Sequence, residues 1–236
     1  MDNIGIIVQA RTSSTRFPNK VFADINGSTN IELVLKNCLK VKQAKTILAI
    51  PHSDLNAFSY LKTIPIFSKE ENLFIFPGAE KNVLSRFYEA SKHHSLDTII
   101  RITGDCPCIE PEIINSMIDF YQTNSEFDYC SNMTTTHATT AQDAHNHTSD
   151  TMLSDGFSVE IFSFKALERA YNNNRDDYER EHVTSWIKNN LHCGLYDKGF
   201  LYLHGKFSLD EEKDIEVIEA YNLLRDKGFI YYGSFK

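Results

Sequence analysis

Apolar positions along this chain follow two rhythms. Short apolar runs at Ile4 to Val8 and Thr46 to Ile50 predict buried strands, which need no polar alternation, and Leu73 to Phe76 and Thr98 to Thr103 predict two more strands. Between them apolar residues return at helical spacing. Ile31, Val34, Cys38 and Leu39 form one such face, with Asn30 as its expected cap. A short helix is expected over 54–62. Val83, Leu84, Phe87 and Ala90 form the next face, capped by Asn82. Strand–helix alternation of this kind predicts a right-handed, doubly wound parallel sheet.

The second half is less regular. Pro111 starts a helix that runs through Ile114, Met117, Ile118 and Tyr121. Strands are expected over 128–132 and 157–163, helices over 164–173 and 178–191, and a strand or hairpin over 200–209. Glu211 to Lys227 reads as an amphipathic helix closed by Gly228. Residues 133–154 break the pattern, being rich in Thr, Ala, Asp and His and poor in apolar residues. Such a stretch inside a compact chain reads as a lid or a disordered loop. The organisation expected is therefore one domain over 1–236, with 133–154 a polar, lid-like insertion. His137, His145 and His147 fall in that insertion and read as solvated rather than metal-bound.

Composition narrows the function classes. With 236 residues and 42% apolar content, the chain can bury a full core. No apolar run approaches a membrane span, and no signal-peptide pattern opens the sequence. The five cysteines, Cys38, Cys106, Cys108, Cys130 and Cys193, are odd in number and lack framework spacing, so a reducing cytoplasm is expected. A formal net charge of -8 argues against general nucleic-acid binding. Against that acidic background one stretch stands out. The loop from Gln9 to Lys20 carries Arg11, Arg16 and Lys20 and no acidic residue. It leaves the carboxyl end of the first strand, where open α/β sheets bind ligands. Thr12, Ser13, Ser14 and Thr15 let backbone N–H groups and hydroxyls approach phosphate oxygens, and Pro18 directs the chain before Lys20. The charge count alone fits a solvated basic loop equally well.

The spacing R-x-x-S-x-R-x-P-x-K after a first strand resembles the N-terminal signature of the cytidylyltransferases that activate acidic sugars. That family includes the CMP-Kdo and CMP-nonulosonate synthetases, and the spore-coat-polysaccharide branch is the most similar in this loop. The loop is not a Walker loop, since the G-K-[ST] ending is absent. Asn19 stands where the family commonly has Gly, and Asn tolerates left-handed backbone angles. The resemblance extends over residues 4–27, 73–132 and 155–227. It implies a Rossmann-like, mostly parallel α/β sheet of the nucleotide-diphospho-sugar transferase type, with a small mixed extension.

Further stations follow from that resemblance. Gly104-Asp105-Cys106-Pro107 matches the family's metal station, so Asp105 is the expected Mg²⁺ ligand, and Asp210 in SLD the second. A lone G-D is otherwise a turn, and Asp210 otherwise a helix cap. Asp214, one turn on, is the runner-up ligand, and Cys108 is expected to pack. Gln9, Ala10, Arg11, Ser14, Arg16, Lys20, Gly78, Asn82, Arg86 and Asp105 are the implied nucleotide contacts. Arg86 reads equally well as one half of a surface ion pair with Glu80 or Glu89. Asp155, Glu160, Arg180 and His182 resemble acceptor-side motifs. Glu160, inside a strand, needs a partner if buried, for which Arg180 is the candidate.

The implied reaction is transfer of CMP from CTP to an acidic sugar with release of pyrophosphate, for surface polysaccharide or glycan synthesis. Arg11, Lys20, Asp105 and Asp210 are its expected catalytic groups, and Mg²⁺ its cofactor. The expected partners are CTP and a small acidic or phosphorylated acceptor, without nucleic acid or membrane, and a homodimer is compatible. Two alternatives stand beside this reading. One is transfer from another nucleotide, or to a sugar or polyol phosphate. The other is a nucleotide-sugar binding module without catalysis.

Overall fold

The computed structural model describes residues 2–132, 155–196 and 206–230. The expected lid at 133–154, with its three histidines, lies outside them, as does most of the expected hairpin at 200–209. Strand β1 (Ile4–Gln9) is buried at every position except Gln9, as its unbroken apolar run requires. It pairs in parallel with β4 (Lys45–Pro51) on one side and β6 (Thr98–Thr103) on the other. Two short antiparallel strands, β2 (Asp24–Ile25) and β3 (Ser28–Thr29), form a separate ribbon before helix α1 (Asn30–Cys38). The seven-stranded sheet has the order β5-β4-β1-β6-β8-β7-β9, where β5 is Leu73–Gly78, β7 Tyr129–Ser131, β8 Glu160–Ser163 and β9 Cys193–Leu195.

Alternate side chains divide between two apolar layers, as the two-residue period of a strand dictates. Ile6, Val8, Leu48, Ile50, Ile100 and Ile102 face one layer. That layer holds α1, α5 (Pro111–Thr123) and α9 (Asp214–Asp226), together with Phe58 of α2 (Leu55–Phe58) and Phe67 of α3 (Pro65–Ser68). Ile7, Ile47, Ala49 and Ile99 face the other, under α4 (Val83–His93), α6 (Phe164–Asn173) and α8 (Ser185–Asn190). Cys108 sits wholly buried in the first layer, so its expected packing role holds.

Several local expectations are corrected. Thr29, not Asn30, is the residue before α1, and the Asn30 side chain is buried, donating to the Gly104 carbonyl at 2.6 Å. The expected helix at 54–62 is one α turn flanked by 3₁₀ turns. The helix expected over 178–191 is broken into α7 (Asp177–His182) and α8 at Val183, whose φ is 51°. A β-branched residue there is strained, and no periodicity reveals it. The sheet is mostly parallel, as expected, and β8 runs antiparallel to both β6 and β7. This is the mixed extension, and it places Arg101 of β6 opposite Glu160 of β8.

Candidate active site

The parallel register sets Gln9 beside Thr103, so the loops that leave β1 and β6 start next to each other. The Gly104 N–H donates to the Gln9 carbonyl at 2.8 Å. A Cβ on Gly104 would lie 2.8 Å from that oxygen and 2.9 Å from the Ala10 Cβ, so only glycine lets the two chains touch. The basic loop is then folded by its own turns. Asn19 adopts φ 58°, the left-handed conformation that lets Asn stand in for Gly, and its N–H donates to the Thr12 carbonyl at 3.1 Å. Asp54, just before α2, clamps the loop from outside by accepting from the Thr12 N–H at 2.8 Å and hydroxyl at 2.9 Å.

The result is an open cavity of about 270 Å³ at the carboxyl edge of the sheet. Gln9, Ala10, Arg11, Ser14, Arg16, Lys20, Arg86, Asp105 and Asp210 all line it. Two of the implied contacts do not. Asn82 caps α4 by accepting from the Ser85 N–H at 2.9 Å, and it faces a neighbouring cleft. Gly78 lies behind Arg86, where an added Cβ would meet the Arg86 Cγ at 2.8 Å. Gly78 thus makes room for Arg86 to turn inward. The surface ion-pair reading of Arg86 is overturned: the residue is 1% exposed and donates to the Ala79 carbonyl at 2.7 Å, and its Nε has no partner. Burial, then the nearby Arg11 charge, pulls its pKa down to about 10 against the opposing pull of Asp54 and Glu80. It remains a cation at neutral pH.

The two expected metal carboxylates do converge. The Lys20 ammonium lies 2.7 Å from Asp105 Oδ2 and 3.0 Å from Asp210 Oδ1. Arg16 Nη2 reaches the same Asp210 oxygen at 2.8 Å, and Lys206 reaches its Oδ2 at 3.2 Å. Burial works against the charges of Lys20 and Asp210. The Asp105 charge, with hydrogen bonds to both carboxylates, nevertheless raises the Lys20 pKa, and the Lys20 and Lys206 contacts lower that of Asp210. Asp210 does not cap α9, whose first turn is preceded by Lys213. Asp214 instead accepts from the N–H groups of Asp210 and Glu211, both at 2.8 Å, and from Lys206 at 2.7 Å. All three bonds fall on Oδ2, which ties Asp214 to the Asp210 backbone.

Among the described residues no group of three or more His, Cys, Asp or Glu side chains is arranged to hold an ion. Two carboxylates aimed at one point, with space beside them for phosphate and water oxygens, fit Mg²⁺, which takes few protein ligands and keeps waters. They do not fit a fully protein-enclosed zinc site.

A second cavity, of about 390 Å³, opens on the other side of the same carboxylates. Thr103, Ser131, Ser158, Ser208 and Tyr129 give it a hydroxyl-rich wall, and Asp155 and Glu160 line it too. Asp155 accepts from the Ser208 hydroxyl at 2.5 Å. The expected Glu160–Arg180 pair is absent. Glu160 is bound instead by Arg101, by the Tyr129 hydroxyl at 2.6 Å and by the Thr184 hydroxyl at 2.8 Å, with Lys188 at 3.5 Å. Arg180 turns to Asn174 and Asp177 on its own helix and the turn before it. His182 packs against Tyr178 with the rings tilted and their centroids 4.2 Å apart. Neither lines the two cavities, although Glu181 between them on α7 does reach the first. Arg101, Lys188, Glu181 and Asp54 were not anticipated. Only Arg101 left a sequence signal, a lone charge inside the apolar run TIIRIT. Glu181 pairs with Arg11 at 3.5 Å over the first cavity.

The family model described as cytidylyltransferase matches residues 5–233. The spore coat polysaccharide biosynthesis protein SpsF of Bacillus subtilis is 27% identical over 234 residues, which are 93% of this chain and 86% of that protein. The 3-deoxy-manno-octulosonate cytidylyltransferase of Bartonella tribocorum is 32% identical over 117 residues, 48% of this chain and 45% of its own. Among solved structures, a cytidylyltransferase of Leptospira borgpetersenii superposes with a TM-score of 0.74 at 21% identity, covering 100% of this chain and 99% of that one. With the basic loop, the paired carboxylates and the mixed sheet in the arrangement described, the chain belongs to the cytidylyltransferase family.

Proposed function

We propose that this cytidylyltransferase transfers CMP from CTP to an acidic sugar or a related acceptor and releases pyrophosphate, as a step in building a surface polysaccharide or glycan. One observation carries the reading: the two cavities share Arg16, Thr103, Asp105 and Asp210 as a common wall. Two substrates that must react meet at that wall. The first cavity suits the nucleotide. Arg11, Arg16 and Lys20 neutralise the β- and γ-phosphates and so stabilise the departing pyrophosphate. Arg86, already charged and held at its Nη1, adds a fixed positive end to the same cavity. The second cavity suits a polyhydroxylated acceptor, and Lys188, loosely held at 3.5 Å from Glu160, is placed to meet an acidic substituent. The acceptor oxygen attacks the α-phosphorus in line, and the chain contributes positioning and electrostatics rather than a nucleophile. Asp105 and Asp210 would hold Mg²⁺, which when bound offsets charge on the phosphate oxygens. All five cysteines are free thiols, which fits a reducing cytoplasm as the site of action.

The test is pyrophosphate release with CTP, UTP, GTP and ATP against acid sugars and phosphorylated polyols. CTP with an acid sugar is expected to turn over, and Asp105→Asn and Asp210→Asn to slow it by orders of magnitude while remaining folded. Wild-type rates in both variants would sink the assignment of the carboxylates. Absence of turnover with every pair would favour the binding-module reading.

A further inference from the structure

The position of Lys20 is unusual for a phosphate-binding lysine. Its ammonium bridges Asp105 and Asp210, at 2.7 and 3.0 Å. Its side chain is only 13% exposed, less than that of either carboxylate partner. Asp105 has no other cation within ion-pair distance among the described residues, whereas Asp210 also has Arg16 and Lys206. Lys20 is therefore the group that neutralises the pair as a pair. Two carboxylates drawn together without a cation between them would repel.

A divalent cation on both carboxylates would need oxygens at about 2.0–2.1 Å around it. An ammonium hydrogen-bonded to the same two oxygens occupies that approach and repels the incoming ion. Lys20 and the metal thus exclude each other at this point, and Lys20 must find another anion before the metal can take both carboxylates. A triphosphate in the same cavity supplies that anion.

We propose that Lys20 is a place-holding cation: it keeps Asp105 and Asp210 assembled in the free enzyme, shields them from free divalent metal, and yields them only when nucleotide phosphates draw its ammonium away. The inference rests on the metal-dependent reading of the site above. It makes metal and nucleotide binding mutually supportive, because each removes an obstacle to the other. It also gives Lys20 two successive partners, first the carboxylates and then phosphate.

The experiment measures Mn²⁺ binding by loss of the free-ion electron paramagnetic resonance signal, with and without CTP and without acceptor. In the wild type, Mn²⁺ should bind weakly alone and markedly more tightly with CTP. Lys20→Met keeps a chain of similar length without charge. It should bind Mn²⁺ alone about tenfold more tightly than the wild type, and the gain on adding CTP should shrink. Lys20→Arg, which keeps the charge, should still bind Mn²⁺ alone only weakly, with the thermal midpoint of each variant recorded. If Lys20→Met, folded, binds Mn²⁺ alone no more tightly than the wild type, the place-holding role is refuted. In that case the metal reading stands, provided that Asp105→Asn still abolishes Mn²⁺ binding with CTP. If no form binds Mn²⁺ under any condition, both readings fall.

Discussion

Replacing Glu160 by Gln removes one charge from the least exposed ion pair in the second cavity. Glu160 is 7% exposed and is held by Arg101, Tyr129, Thr184 and Lys188. Burial by itself would raise its pKa, but the Arg101 charge, then Lys188, then the hydrogen bonds from Tyr129 and Arg101 bring it from 4.5 down to about 2. That gap corresponds to about 3 kcal/mol of stability at neutral pH. A carboxylate depressed in the folded state contributes above its ordinary pKa and loses that contribution as pH falls through the folded value. About 2 kcal/mol should therefore be gone by pH 3. The variant should lose about 3–5 kcal/mol at pH 7, because it leaves Arg101 buried beside a neutral amide. Its stability should also vary less between pH 7 and 3. The double variant Arg101→Met, Glu160→Leu removes both charges and should recover most of the loss. Urea denaturation followed by the fluorescence of Trp186, the only tryptophan, measures all three proteins. If Glu160→Gln stays within about 0.5 kcal/mol of the wild type at pH 7 and keeps its pH slope, the buried pair does not hold the β6–β8 junction.

Two further outcomes follow from the packing. Gly78→Ala places a methyl 2.8 Å from the Arg86 Cγ, in the buried stem rather than at a flexible tip. It should destabilise the fold by about 1–3 kcal/mol and weaken CTP binding in calorimetry, and unchanged CTP affinity would remove Arg86 from the nucleotide site. Glu110 is buried between the Tyr221 hydroxyl and Arg225, and burial raises its pKa from 4.5 to about 7 despite the Arg225 charge. Its contribution is full below 4.5 and is lost as pH rises through about 7. Glu110→Gln should flatten the fall in stability between pH 5 and 8, and an unaltered slope in urea titrations would refute that origin.

What the sequence determined by itself is local or repeats at short range. The unbroken runs at Ile4 and Thr46 are buried parallel strands because apolar content on both faces leaves them no exposed side. Asn82 caps its helix through a backbone N–H three residues on, and Asn19 turns left-handed inside a single short loop. The basic loop and both carboxylates were legible as chemistry through their resemblance to a family, and the strand ends placed them at one edge. The tertiary structure alone decided their partners. Lys20 meets Asp105 across 85 positions and Asp210 across 190, and Arg101 meets Glu160 across 59. Those pairings follow from the order and direction of strands in the sheet, which periodicity does not encode. The antiparallel β8 puts Glu160 opposite Arg101 and leaves Arg180 to its own helix. The burial of Arg86 likewise depends on the space behind Gly78, and the break before α8 on a strained Val183, neither of which leaves a mark in the pattern of apolar and polar residues.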